Sequence, residues 1–68
     1  MGEVTARVEN DLRRRITSGE LSSGDRLPSE RDLVDQLKAS RSTVRLVLVK
    51  LTAEGLIEPQ QGRGYFVR

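Results

Sequence analysis

The sequence predicts a mainly α domain closed by a small β-hairpin, and three observations carry that assignment. Apolar residues recur at helical spacing in three segments that end before Gly55. Beyond Gly55 the period changes, and short strand-like runs flank Gln61-Gly62-Arg63-Gly64, a turn with two glycines. At 68 residues the chain is long enough for one small domain, expected over residues 4–68, with a modest core and no deep pocket.

In the first segment Val4, Val8, Leu12 and Ile16 recur every four residues, and Ser18-Gly19 supplies the stop of that helix. Leu21 and Leu27 are isolated apolar positions in a connection rich in Ser, Gly and Asp. Pro28 holds the residue before it extended. Ser29, with Asp32 three residues on, resembles a capping box with Asp in place of Glu or Gln. It opens a short second helix that buries Leu33, Val34 and Leu37 and runs little beyond Lys38.

Ser40 is the N-cap of the third helix, whose stripe is Val44, Val47, Leu48 and Leu51 and whose end is Gly55. A short and a longer helix joined by so tight a turn outline a helix-turn-helix. Leu56 and Ile57 then read as a strand and Tyr65 to Val67 as its return. Pro59 has no N–H to donate, so it belongs near the strand end or on the outer edge. Three helices followed by a hairpin make a winged helix-turn-helix.

Composition excludes several chemistries. The chain has no Cys and no His, which removes disulfides, thiolate zinc sites and the commonest metal ligand and general base, so neither a metal nor a cofactor is expected. Asp25, Glu30, Asp32 and Asp35 are the candidate paired carboxylates. They fall at helix starts and on a solvated face, in a chain too small to desolvate them, so no catalysis is expected. Gly62-Arg63-Gly64 does not join a strand to a helix and lacks the Lys-Ser/Thr of a phosphate loop. No apolar run reaches the roughly 18 to 20 residues of a membrane span, and no signal peptide is visible, which reads as a cytoplasmic protein with no membrane partner.

Twelve bases against ten acids leave a net charge of only +2. Position sharpens that total. Residues 36–53 hold Lys38, Arg41, Arg45 and Lys50 and no acid, so this window is +4 and the rest of the chain −2. The positive field therefore sits on the third helix, which points to a nucleic-acid partner.

A wheel centred on Val44, Leu48 and Leu51 turns Ser42, Arg45, Leu46 and Val49 outward, with Arg41 on the flank. Ser40, Ser42 and Thr43 can bond phosphate or base edges, and Arg41 or Arg45 can reach guanine. Ser40 is equally explained as a plain cap. Arg13, Arg14 and Arg15 either complement the negative end of the first helix or touch a DNA backbone. Gln61, Gly62 and Arg63 form either an ordinary turn or a tip that approaches a groove or phosphate closely.

Five blocks in order carry a resemblance: Ile16 through Gly19 with Leu21; Gly24-Asp25-Arg26-Leu27-Pro28-Ser29-Glu30-Arg31-Asp32-Leu33; Ser40-Arg41-Ser42-Thr43-Val44-Arg45; Leu51 with Glu54-Gly55-Leu56-Ile57; and Gln61 through Val67. Over nearly its whole length the chain resembles the DNA-binding domain of the GntR family of bacterial transcription regulators. The resemblance implies a winged helix that binds a palindromic operator on double-stranded DNA as a homodimer, usually as a repressor released by a small-molecule effector. It also implies DNA contacts from Arg31, Ser40, Arg41, Ser42, Thr43, Arg45 and Gly62, with Gln61 and Arg63 as neighbours on the wing. Arg31 enters only through the resemblance.

Two departures qualify it. Leu46 and Val47 stand where the family has a polar residue followed by Ala, and Val49 stands at an often charged position. Leu46 and Val49 are then exposed, either as tolerated surface residues, as thymine-methyl contacts or as a protein-binding patch. The chain also stops where family members continue into an effector-binding and dimerisation domain. It is expected to be an excised domain, begun by an added Met1-Gly2, and to be a monomer when isolated. The competing functions are a winged helix that binds protein and a nonspecific DNA binder.

Overall fold

The computed structural model describes residues 2–68, so Met1 of the expected added start lies outside it. Three helices, α1 (Glu3–Thr17), α2 (Glu30–Leu37) and α3 (Arg41–Ala53), precede an antiparallel hairpin of β1 (Ile57–Gln60) and β2 (Gly64–Val67).

Helix α3 is the centre of the domain. It packs against α1, α2 and β1, and its Val44, Val47, Leu48 and Leu51 are buried with Leu12 of α1, Leu33 of α2 and Ile57 of β1. The first stripe needs one correction. Val8 and Leu12 are buried, but Val4 is 45% exposed and Thr5 takes the inward position at 9%. Four-residue steps drift by about 40° on a 3.6-residue helix, so Val4 lies roughly 80° from Leu12, whereas Thr5, seven residues away, lies within about 20°.

Helix α2 starts where the capping pattern places it, since Ser29 accepts a hydrogen bond from the Asp32 N–H at 3.1 Å. It ends at Leu37 because Lys38 turns into the left-handed region at φ 53°. That turn permits Ser40 to begin α3 after two residues.

The connection from α1 to α2 is more ordered than its composition suggests. Asp25 O accepts from Val67 N at 2.9 Å and Leu27 N donates to Tyr65 O at 2.8 Å, which pairs Arg26 with Phe66 and sets β2 between this segment and β1. The amides of Tyr65 and Val67 are thereby turned away from β1. Pro59, opposite Tyr65, consequently has its missing N–H on the outer edge, as expected. Leu56 lies just before β1 rather than in it, although its carbonyl accepts from Arg68 N at 3.1 Å.

Candidate nucleic-acid interface

The outward face of α3 is the one its wheel predicts. Arg41, Ser42, Arg45, Leu46 and Val49 are exposed and Thr43 is half-buried. Ser40 is committed to the helix start, because its hydroxyl accepts from Thr43 N at 3.1 Å and donates to Thr43 Oγ1 at 3.0 Å. The N–H groups of Arg41 and Ser42 make no hydrogen bond among the described residues. Two donors at the positive end of a helix dipole are thus open to an anion.

Acid-free in sequence does not mean acid-free in space. Glu30, the first residue of α2, accepts from Arg45 Nε at 3.1 Å and from Arg45 Nη2 at 2.9 Å, with Arg41 Nε 3.5 Å away. Arg45 holds the Glu30 carboxyl below its ordinary value by that hydrogen bond, against a smaller opposing effect of burial. Glu30 is half-buried between the two helices, not on the solvated face expected for it. Nothing in the period of the sequence marks this pair, whose members are 15 residues apart and meet only once the turn at Lys38 brings α2 across α3.

Lys50 is likewise engaged, donating to Glu9 at 3.0 Å, while Arg13 binds Glu9 at 2.6 Å and Glu54 at 2.7 Å. Arg15 binds Asp11 at 2.7 Å, and Arg14 stands 3.6 Å from Asp11 and 3.5 Å from Glu20. The arginine run closing α1 therefore serves ion pairs within the domain. Arg31 in the first turn of α2 and Arg63 on the wing are exposed and pair with no carboxylate among the described residues.

The wing tip is Gln61, Gly62 and Arg63, all exposed, closed by a hydrogen bond from Arg63 N to Gln60 O at 2.8 Å. Gly62 at φ 75° and Gly64 at φ 108° take conformations that residues with a Cβ rarely adopt. A Cβ on Gly64 would also meet Arg26 Nε at 3.3 Å. Arg26, absent from the sequence-derived set, is thus packed beside the wing, and Arg63 lies over Phe66 at 5.5 Å.

No helix among the described residues is long and apolar enough to cross a membrane, and no group of His, Cys, Asp or Glu among them could hold a metal ion.

Comparison with known proteins places these features in context. The family model described as bacterial regulatory proteins, gntR family, matches residues 4–67. The chain is 42% identical over 71 residues to the histidine utilization repressor of Pseudomonas putida, covering 98% of this chain and 29% of that protein. It is 43% identical over 60 residues to the HTH-type transcriptional repressor NagR of Bacillus subtilis (strain 168), covering 88% of this chain and 25% of that protein. It thus spans about a quarter of the length of these relatives. Among solved structures, the AraR DNA-binding domain in complex with operator ORR3 superimposes with a TM-score of 0.92 at 31% identity, covering all of this chain and 82% of that one.

Proposed function

The chain belongs to the gntR family of bacterial regulatory proteins, and from that membership we propose that it is the operator-reading domain of a transcriptional regulator, binding double-stranded DNA by sequence. The outward face of α3 carries this reading. Arg41, Ser42 and Arg45 stand on one exposed surface, beside two unpaired N–H groups at the helix start. A helix about 10–12 Å across fits a major groove about 12 Å wide, where the fork of Arg45 or Arg41 meets guanine O6 and N7. The similarity to a domain solved on its operator supports the same assignment.

The other site residues fall into supporting roles. Thr43 and Ser42 offer hydroxyls at the first turn, and Ser40 shapes the turn as its cap. Arg31, exposed in the first turn of α2, contacts a backbone phosphate. On the wing, Gln61, Gly62 and Arg63 approach the flanking groove, the glycine giving the backbone close access.

Residues 4–68 act as the DNA-binding unit. In a full regulator a second domain supplies dimerisation and effector binding, two copies read a palindrome, and effector binding releases the DNA, so the regulator acts as a repressor. The histidine utilization repressor and NagR are named as repressors, which favours that sense. Such a regulator works in the cytoplasm, on the nucleoid.

Selection of bound duplexes from a random pool tests the proposal. One enriched half-site motif, whose affinity falls steeply with rising salt, is expected. A pool that stays random, or binding indifferent to salt, rejects sequence-specific reading.

A further inference from the structure

We propose that Leu46, with Val49 beside it, reads thymine C5-methyl groups and so sets part of the sequence preference; this rests on the DNA-reading function proposed above. Large exposed apolar side chains are scarce: among the described residues they are Val4, Leu46 at 47% and Val49 at 56%. Two of the three lie on α3.

Their placement is specific. With Ser42 as the origin and 100° per residue, Leu46 falls about 40° to one side, and Val49 and Arg45 about 20° and 60° to the other. All four occupy one arc of roughly 100°, opposite the buried Leu51. The apolar atoms are therefore interleaved with the polar reading groups rather than set apart as a separate patch. Along the axis, Arg41 to Val49 rises about 12 Å, close to the major-groove width, and Leu46 lies inside that span.

Leu46 is 47% exposed and so remains open to the surface that DNA would cover. Glu9 binds Lys50 at 3.0 Å and Arg13 binds Glu54 at 2.7 Å, which ties α1 to α3 beyond Leu46. Lys50 is held by Glu9 and does not compete for that surface.

Thymine alone among the bases presents a methyl group in the major groove, and a leucine offers a polar base edge no hydrogen bond in exchange for its water. Opposite Leu46, thymine is favoured over the other bases. Two side chains are far too little for a stable protein interface, which needs about 1,000 Å². The flanking Arg41 and Arg45 further match the acceptor edge of guanine rather than an apolar partner surface.

The test uses the 68-residue chain and the duplex it selects from a random pool, with each thymine replaced in turn by deoxyuridine, which removes only the methyl. At one or two thymines per half-site the unaltered chain should lose about three- to fourfold in affinity, the equivalent of ~0.8 kcal/mol for one buried methyl. Leu46→Ala, which should melt as the unaltered chain does because the residue is exposed, should be insensitive at the same thymine. Equal sensitivity of both proteins at every thymine overturns the inference, as does a selected site with no thymine whose methyl matters. If Arg45→Ala still costs affinity in that case, the DNA-reading function stands and only the role of Leu46 fails. If no sequence is selected at all, both fail.

Discussion

Arg45 donates to both oxygens of Glu30, from Nε at 3.1 Å and Nη2 at 2.9 Å, so the central arginine of α3 is held by the first residue of α2. The pair withdraws one charge from the face and fixes the plane of the guanidinium, whose remaining N–H groups stay available. A held arginine reads a base edge with less loss of rotamer freedom than a free one.

Glu30→Gln therefore separates charge from orientation. Binding to a scrambled duplex should tighten, because an acid leaves the interface, while the ratio of selected to scrambled affinity should fall by about tenfold, ~1.4 kcal/mol. Titration of both duplexes at one salt concentration checks this. An unchanged ratio would show that Glu30 does not orient Arg45 for reading.

The wing makes a different contribution. Arg63 is exposed and already stacked over Phe66 at 5.5 Å, which suits a phosphate contact rather than base readout. Arg63→Ala should weaken selected and scrambled duplexes alike and lower the slope of log K against log salt by about 1. A loss confined to the selected duplex would assign Arg63 to base recognition instead.

Lys38 closes α2 at φ 53° without being a glycine. Left-handed backbone costs a residue with a Cβ roughly 1–2 kcal/mol, partly offset by the greater freedom glycine has when unfolded. Lys38→Gly should therefore stabilise the domain by about 0.5–1 kcal/mol and raise the melting midpoint by a few degrees. A lower midpoint would mean that the lysine side chain contributes more than its backbone costs.

Three carboxyls lie below the ordinary glutamate value of 4.5: Glu9 through Arg13 and then Lys50, Glu30 through Arg45, and Glu54 through Arg13. Depressed folded-state values mean that their stabilisation is fully present above 4.5 and is lost as pH falls through the lowered values. Melting midpoints should hold from neutrality to near 4.5 and then decline. Glu9→Gln, which removes the shared partner of Arg13 and Lys50, should flatten that acid decline. An unchanged acid limb would show that the α1–α3 ion pairs do not contribute.

Much of this was legible in the residues. Helical period, Ser29 and Ser40 as caps, and the glycines after α3 and in the wing gave the element order, because each depends on neighbours within a few positions. What was missed depends on contacts distant in sequence. Asp25–Leu27 pairs with β2 across the whole helix-turn-helix, and three residues have no period to reveal it. Glu30 joins Arg45 only when the turn is built, and Arg26 reaches Gly64 only once the wing folds back. Val4 leaves the buried stripe for a local reason, the drift of a four-residue spacing around the helix.

The most direct test of reading by α3 compares Arg45→Ala and Arg14→Ala on the selected duplex and a scrambled one. Arg14 is exposed on α1, with ion pairs no shorter than 3.5 Å, and is a matched control for charge. Arg45→Ala should cost about 1–3 kcal/mol on the selected duplex and much less on the scrambled one, with Arg14→Ala changing little on either. Equal losses for the two variants on both duplexes would contradict base reading by α3.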